Sequence, residues 1–127
     1  MTTWKVSLLA VQWLLLSTQS ISVVEGAQTP KYPQQPMALQ QQMLPPKEFD
    51  YPYEGELTVN RLSRKQIQMQ CWSARSTSTT MLLACSRAYT STRCEVWMMV
   101  KDDLDQLGWS DDIVMRHELA HCNGWRH

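Results

Sequence analysis

Hydrophobic residues follow strand or helix spacing mainly in the second half of this chain. Residues 56–62 alternate between apolar and polar side chains, which predicts a short strand. Ser63 is a good helix N-cap, and the stretch after it reaches about residue 72. Ile67 and Cys71 in this stretch are four residues apart, so they predict a helix with one buried face.

Two apolar runs and a final amphipathic stretch predict the remaining elements. Residues 81–84 predict a buried strand, and residues 95–100, which include Trp97, predict the clearest strand of the chain. Residues 101–108 connect this strand to a helix over residues 110–123. We expect that helix because Ser110 suits an N-cap and two Asp residues place negative charge in its first turn.

This order of elements predicts an α+β domain over residues 51–127, with a short antiparallel sheet and a C-terminal helix. A domain of this size rarely stabilises itself by its core alone, so disulfides and a metal are the expected supports. We interpret Trp97 and Trp109 as core residues rather than as a substrate platform. The strand at residues 95–100 offers an edge to which an extended substrate can add.

The first part of the chain is typical of an exported protein. Residues 1–26 predict a signal peptide, with Lys5 before an apolar run at residues 6–16 and a cleavage site near Gly26. An uncleaved N-terminal anchor is the alternative. Residues 27–50 are rich in Gln and Pro and predict an extended or disordered linker that tethers the domain. We therefore expect a secreted or periplasmic protein without stable membrane insertion once the signal is removed.

Charge and cysteine content narrow the function further. The formal net charge is +0, so the chain lacks the positive field that favours nucleic acid. Export implies an oxidising compartment, in which the four Cys residues are first interpreted as disulfides. Three pairings are open. We favour Cys85 with Cys94, closing a hairpin, and Cys71 with Cys122, attaching the preceding helix to the last one.

The last eleven residues, HELAHCNGWRH at 117–127, carry the candidate chemistry. His117 and His121 are four residues apart, so a helix projects both imidazoles from one face, where they can bind one Zn²⁺. Glu118 lies beside them as a candidate general base. Gly124 can end the helix in a left-handed conformation and bring His127 round as a third ligand. The three His residues of the chain all occupy these ligand positions.

The pattern H-E-x-x-H-x-x-G-x-x-H resembles the zinc signature of the metzincin metallopeptidases, within the wider zincin group. The resemblance implies that His117, His121 and His127 are zinc ligands and that Glu118 activates the water bound by the metal. It also implies a small zincin-like fold for residues 51–127 and a peptide or cell-wall peptide as substrate. The tail is similar, too, to that of small secreted bacterial proteins that carry an H-E-x-x-H-C-N-G-W ending.

One feature of the metzincins is absent from these 127 residues. In that family a Met-containing turn follows the third His, whereas all eight Met residues of this sequence precede the motif. Two alternatives to the His127 imidazole also stay open, namely its terminal carboxylate and a ligand further along a longer chain. The leading hypothesis is thus a secreted zinc-dependent hydrolase. One alternative is an exported envelope protein with a structural zinc site. A second alternative is a disulfide-bonded binding module without metal.

Overall fold

A three-stranded sheet organises the fold. The computed structural model describes residues 28–72 and 81–127. Its strands are β1 (Glu56–Leu62), β2 (Ala84–Thr90) and β3 (Arg93–Met99). They lie in the order β1-β3-β2, with β1 parallel and β2 antiparallel to β3.

The sheet is therefore mixed, and the expectation of an antiparallel sheet is wrong for β1. Parallel neighbours need a long crossover, and here the crossover includes a helix and β2, which returns the chain so that β3 runs beside β1 in the same direction. The central position of β3 also corrects the idea that it is a free edge. The free edges belong to β1 and β2.

Four α-helices complete the mixed α+β fold within the described residues. They are α1 (Met37–Met43), α2 (Arg64–Gln70), α3 (Lys101–Gln106) and α4 (Asp111–Cys122), and a short 3₁₀ helix covers Lys47–Phe49. The segment that we expected to connect β3 to the last helix thus contains α3, and its Leu104 is fully buried.

The two helices predicted from their caps begin where the sequence indicates. The Ser63 side chain accepts a hydrogen bond from the Gln66 backbone, and the Gln66 side chain accepts one from the Ser63 backbone, which forms a capping box at α2. Ser110 caps α4 by accepting from the Ile113 N–H. Ile67 of α2 and Val114 of α4 are both 0% exposed, so each helix buries the face that its apolar residues predicted.

The disulfides are paired differently from our interpretation. The bonds join Cys71 to Cys85 and Cys94 to Cys122. A hairpin bond between Cys85 and Cys94 is excluded by register, because Cys85 lies opposite Trp97, which is three residues from Cys94 and so faces the other side of the sheet. One disulfide consequently attaches α2 to one face of the sheet, and the other attaches α4 to the opposite face.

The apolar run at residues 81–84 is not itself a strand. Only Ala84 of residues 81–84 belongs to β2, which continues from there to Thr90. Leu82 and Leu83 are half-buried and pack against the core, while Met81 is exposed. The run is apolar because its residues line a groove beside the last helix, and not because they form a buried strand.

Part of the Gln- and Pro-rich segment is folded rather than extended. It contains α1, and the side chain of Gln40 in this helix is buried. Apolar burial contributes to its order, because Met43 packs against the core. Polar contacts contribute too, because Gln40 accepts a hydrogen bond from the backbone of Ser110 and donates one to the carbonyl of Gln35. Such contacts leave no hydrophobic pattern, so composition alone indicated a linker.

The features that concern export are only partly covered by the structure. The predicted signal peptide at residues 1–26 lies outside the described residues. Across residues 28–72 and 81–127, no helix has the length and apolar character needed to cross a membrane. The two disulfides suggest an oxidising, extracellular-type environment.

Candidate metal centre

The first two histidines project from one face of α4, as their spacing predicts. His117 and His121 are separated by about one helical turn, and their Nε2 atoms are 3.3 Å apart. Both side chains are half-buried. The helix therefore presents two imidazole nitrogens at one point on its surface.

A turn after α4 brings the third histidine to the same point. Gly124 has φ +102°, a backbone conformation that residues with a side chain rarely adopt. Beyond it the chain folds back, and the Trp125 N–H donates to the Ala120 carbonyl. The Nε2 atom of His127 then lies 3.3 Å from that of His117 and 3.2 Å from that of His121.

These distances fit a metal site. A tetrahedral Zn²⁺ with Zn–N bonds of about 2.0–2.1 Å requires ligand nitrogens about 3.3 Å apart. The three Nε2 atoms meet this requirement in all three pairs. His117, His121 and His127 can therefore form a metal site together, and three ligands leave the fourth tetrahedral position open.

Two backbone carbonyls fix the orientation of the helix histidines. The Nδ1–H of His117 donates to the carbonyl of Met43, and the Nδ1–H of His121 donates to the carbonyl of Trp125, each at 2.7 Å. A neutral imidazole with its proton on Nδ1 has its lone pair on Nε2. Each ring is therefore held in the tautomer that a metal on the Nε2 side requires. Burial lowers the pKa of both His117 and His121, which favours the neutral, metal-binding form.

Trp125 packs against all three rings. Its indole stacks on His121, with a centroid distance of 4.9 Å and an interplanar angle of 10°. The same indole lies 5.0 Å from the ring of His117 and 4.5 Å from that of His127. Trp125 therefore restricts the motion of the ligands, a role that its place within the motif did not reveal.

Glu118 is close to the histidines but is tied to the sheet. Its side chain is 5% exposed. Desolvation by burial raises the pKa of Glu118 to about 7, and a hydrogen bond from the Ser86 side chain of β2 opposes that rise. A carboxyl group with a pKa near neutrality is suited to accept and release protons at physiological pH.

An apolar groove of about 620 Å³ runs beside these residues. His117, Glu118 and His127 are among the residues that line it. The apolar side chains that line it are Leu39, Met43, Met81, Leu82, Leu83, Ala84, Leu107 and Trp109. Trp97 and Trp109 pack against the core, as we expected, but Trp109 also faces this groove.

Sequence patterns identified the histidines but not their neighbours. Met43 and Ser86 are distant from the motif along the chain, and neither stands in a pattern that marks it. No protein-family profile, curated protein or solved structure matches this chain. The metzincin resemblance therefore depends on residues 117–127 alone.

Proposed function

We propose that this protein is a secreted zinc-dependent hydrolase, most closely a metallopeptidase with a zincin-like fold. The observation that carries the proposal is the convergence of three Nε2 atoms at 3.2–3.3 Å. Zinc is the metal that best suits three imidazoles with one tetrahedral position left for water or substrate. The ion identity remains part of the proposal.

Residues of the chain next to that ion carry out the proton transfers. Zinc, when bound, would lower the pKa of a water to about 7 and polarise a carbonyl oxygen. Glu118 accepts the proton of the attacking water and passes it to the amine that leaves, for which a pKa of about 7 is well matched. The Ser86 hydroxyl favours the ionised form of Glu118, because its hydrogen bond lowers the pKa of the carboxyl.

A peptide or cell-wall peptide is the substrate class that we propose. One free edge of the sheet belongs to β2, and four consecutive residues of that strand, 85–88, line a groove with His121 and His127. An extended peptide can pair with such an edge through its backbone and place a carbonyl near the histidines. We therefore propose that the substrate pairs with β2, and not with β3 as the sequence predicted.

A second candidate is an exported protein in which the same histidines hold a structural metal. The burial of Glu118 against Ser86 favours it, because a carboxyl that is hydrogen-bonded to the sheet needs no catalytic role to explain its position. A structural site has closed coordination, whereas a catalytic site keeps a water. Hydrolytic activity separates the two candidates.

The decisive experiment compares the purified, exported chain with Glu118→Gln on a library of quenched fluorescent peptides. Glu118 is not a ligand, so we expect Glu118→Gln to keep its zinc and to lose at least about 100-fold in kcat/KM. Glu56→Gln, on the exposed β1 strand, is the matched control and should retain full activity. Zinc-loaded protein without measurable hydrolysis would favour the structural candidate.

A further inference from the structure

The C-terminus of α1 supplies the hydrogen-bond acceptor for His117. Leu44 leaves the helical conformation with φ −67° and ψ 132°, as expected for a residue before proline, and Pro45 and Pro46 prevent the helix from continuing. The last carbonyls of a helix lack partners within it. The carbonyl of Met43, the last residue of α1, is thus free to accept from His117 Nδ1 at 2.7 Å.

Beyond α1, the chain is attached to α4 on both sides of His117. Asp50 forms a bidentate pair with Arg116, whose Nε lies 3.1 Å from Asp50 Oδ1. At the end of α4, the side chain of Asn123 donates to the carbonyls of Phe49 and Tyr51 at 3.1 and 2.8 Å. These bonds hold residues 49–51 along the helix that carries the ligands.

Before α1, the chain is attached to the turn that precedes α4. The Gln35 N–H donates to the Gly108 carbonyl at 2.9 Å, and its side chain donates to the Leu107 carbonyl at 2.8 Å. Gln40, 5% exposed, accepts from the Ser110 backbone at 3.3 Å. Residues 35–51, which we term the strap, are therefore bonded to α4 or its preceding turn before, within and after α1.

We propose that the strap is part of the metal centre, and that Met43 acts as a positioning residue that orients His117 for metal binding. This inference rests on the metal site of the proposed function but not on hydrolysis. When the strap is attached, His117 is held with its proton on Nδ1 and its lone pair toward the other ligands. When the strap is detached, the His117 ring is free to rotate or to take the other tautomer. Metal binding must then fix both the orientation and the tautomer of the ring. Loss of such a partner typically lowers metal affinity 10–100-fold.

Thermodynamic linkage makes the coupling reciprocal. If attachment of the strap strengthens metal binding, then a bound metal strengthens attachment of the strap by the same factor. Any agent that detaches residues 35–51, such as a protease that cuts them or a partner that binds them, would weaken metal binding by that factor. The segment that composition marks as a tether thus controls the occupancy of the site.

Two matched pairs of substitutions test the proposal in the full chain. Gln40→Ala with Asp50→Asn removes one bridging glutamine and one bidentate aspartate from the strap. We call these two substitutions the strap pair. The control pair, Gln68→Ala with Asp111→Asn, removes contacts of the same kind outside the strap, because Gln68 bridges to the backbone of Leu82 and Asp111 pairs with Arg61. Both control residues lie outside the strap, and neither contacts a histidine ligand in these bonds.

We expect the strap pair to weaken Zn²⁺ affinity at least tenfold and the control pair to change it less than threefold, in a competition titration against a chromophoric chelator. The Co²⁺-loaded strap pair should also show an altered visible spectrum, because the geometry at His117 changes. Equal losses in the two pairs, or no loss in the strap pair, would overturn the proposal. A chain that binds no Zn²⁺ before substitution would instead refute the proposed function.

Hydrogen exchange provides a measurement that needs no variant, should the strap pair fail to fold. Zn²⁺ should slow exchange of the amides of Met37–Met43 in the unmodified chain more than that of Arg64–Gln70, which serves as the internal reference. His117→Ala should abolish this difference, because the ring that contacts Met43 is gone. Equal slowing in both helices would mean that the metal merely stabilises the whole fold, and the strap would have no special role.

Discussion

At the scale of single residues, the candidate site depends on where each proton lies. His117 and His121 donate from Nδ1 to the carbonyls of Met43 and Trp125, so both offer Nε2 to a metal. Glu118 is nearly excluded from water, and burial raises its pKa to about 7. These three groups share one environment, in which burial disfavours every charged form.

The raised pKa of Glu118 predicts a pH-dependent effect of Glu118→Gln in the metal-free protein. The carboxyl is neutral below its unfolded pKa of 4.5 and imposes no cost there. As the pH rises from 4.5 towards and past about 7, the unfolded chain loses its proton first, and the folded protein loses stability. Glutamine does not ionise, so the variant should gain stability over the unmodified chain between pH 5 and pH 8.

Urea unfolding at the two pH values measures this gain. Glu56→Gln, exposed on β1, is the control and should show no such trend. A difference between Glu118→Gln and the unmodified chain that stays constant with pH would mean that Glu118 is ionised throughout, and hence more hydrated than its burial indicates.

The conformation of Gly124 predicts a cost for Gly124→Ala that comes from the backbone alone. No atom lies within 4 Å of the position that a Cβ would take, while φ is +102°. We expect the free energy of unfolding to fall by about 1–2 kcal/mol. Zn²⁺ affinity should fall as well, because relaxation of the turn moves His127 and the Trp125 carbonyl. Unchanged stability and affinity in calorimetric unfolding and metal titration would show that the turn is not required.

At the scale of elements, α4 is the part of the fold that everything else positions. A disulfide ties its last residue, Cys122, to the central strand at Cys94. Arg61 of β1 pairs with Asp111 in its first turn. The strap and β2 lie along the part of the helix that carries the ligands, so these two segments and the disulfide position the ligands.

Removal of the Cys94–Cys122 disulfide should therefore destabilise the fold and loosen the site. The bond closes a loop with a sequence separation of 28, which corresponds to about 3–4 kcal/mol in the chain-entropy treatment. The double variant Cys94→Ala, Cys122→Ala should lose about this much in urea unfolding. Cys71→Ala, Cys85→Ala, with the shorter separation of 14, should lose somewhat less. A loss below about 1 kcal/mol for the first pair would indicate that packing alone holds α4.

Local patterns predicted elements well and their partners poorly. Ser63 and Ser110 marked the starts of α2 and α4 because capping depends on residues three apart in the chain. The parallel pairing of β1 with β3 and the disulfide partners depend on register between distant segments, which no local pattern encodes. The strap was missed for the same reason, since part of its order comes from polar contacts to Leu107, Gly108 and α4.

The metal site likewise combines features that a local pattern predicts with features that depend on distant contacts. The spacing of His117, His121 and His127, with Gly124 between them, predicted that the three rings converge, and they do. The groups that orient those rings were not predictable. Met43 is 74 residues from His117, and a backbone carbonyl carries no sequence signal.

At the scale of the whole molecule, the core that the described residues form is small, and disulfides support it. Its buried cluster comprises Ile67, Cys71, Cys94, Val96, Met98, Met99, Leu104, Val114 and Cys122. Three of these nine residues are disulfide-bonded cysteines. A small domain of this kind is commonly stabilised further by a metal. We therefore expect a metal bound at the end of α4 to stabilise the fold in addition to any chemical role.

The central claim is that His117, His121 and His127 bind one metal ion together, and a Zn²⁺ titration of the full chain tests it most directly. We predict one Zn²⁺ per chain, loss of binding in His117→Ala, and at least a tenfold weaker affinity in His127→Ala, equivalent to about 1.4 kcal/mol. Asn60→Ala, on β1, is a control that should bind as the unmodified chain does. A chain that binds no Zn²⁺, or whose affinity is the same after His127→Ala, would contradict the account.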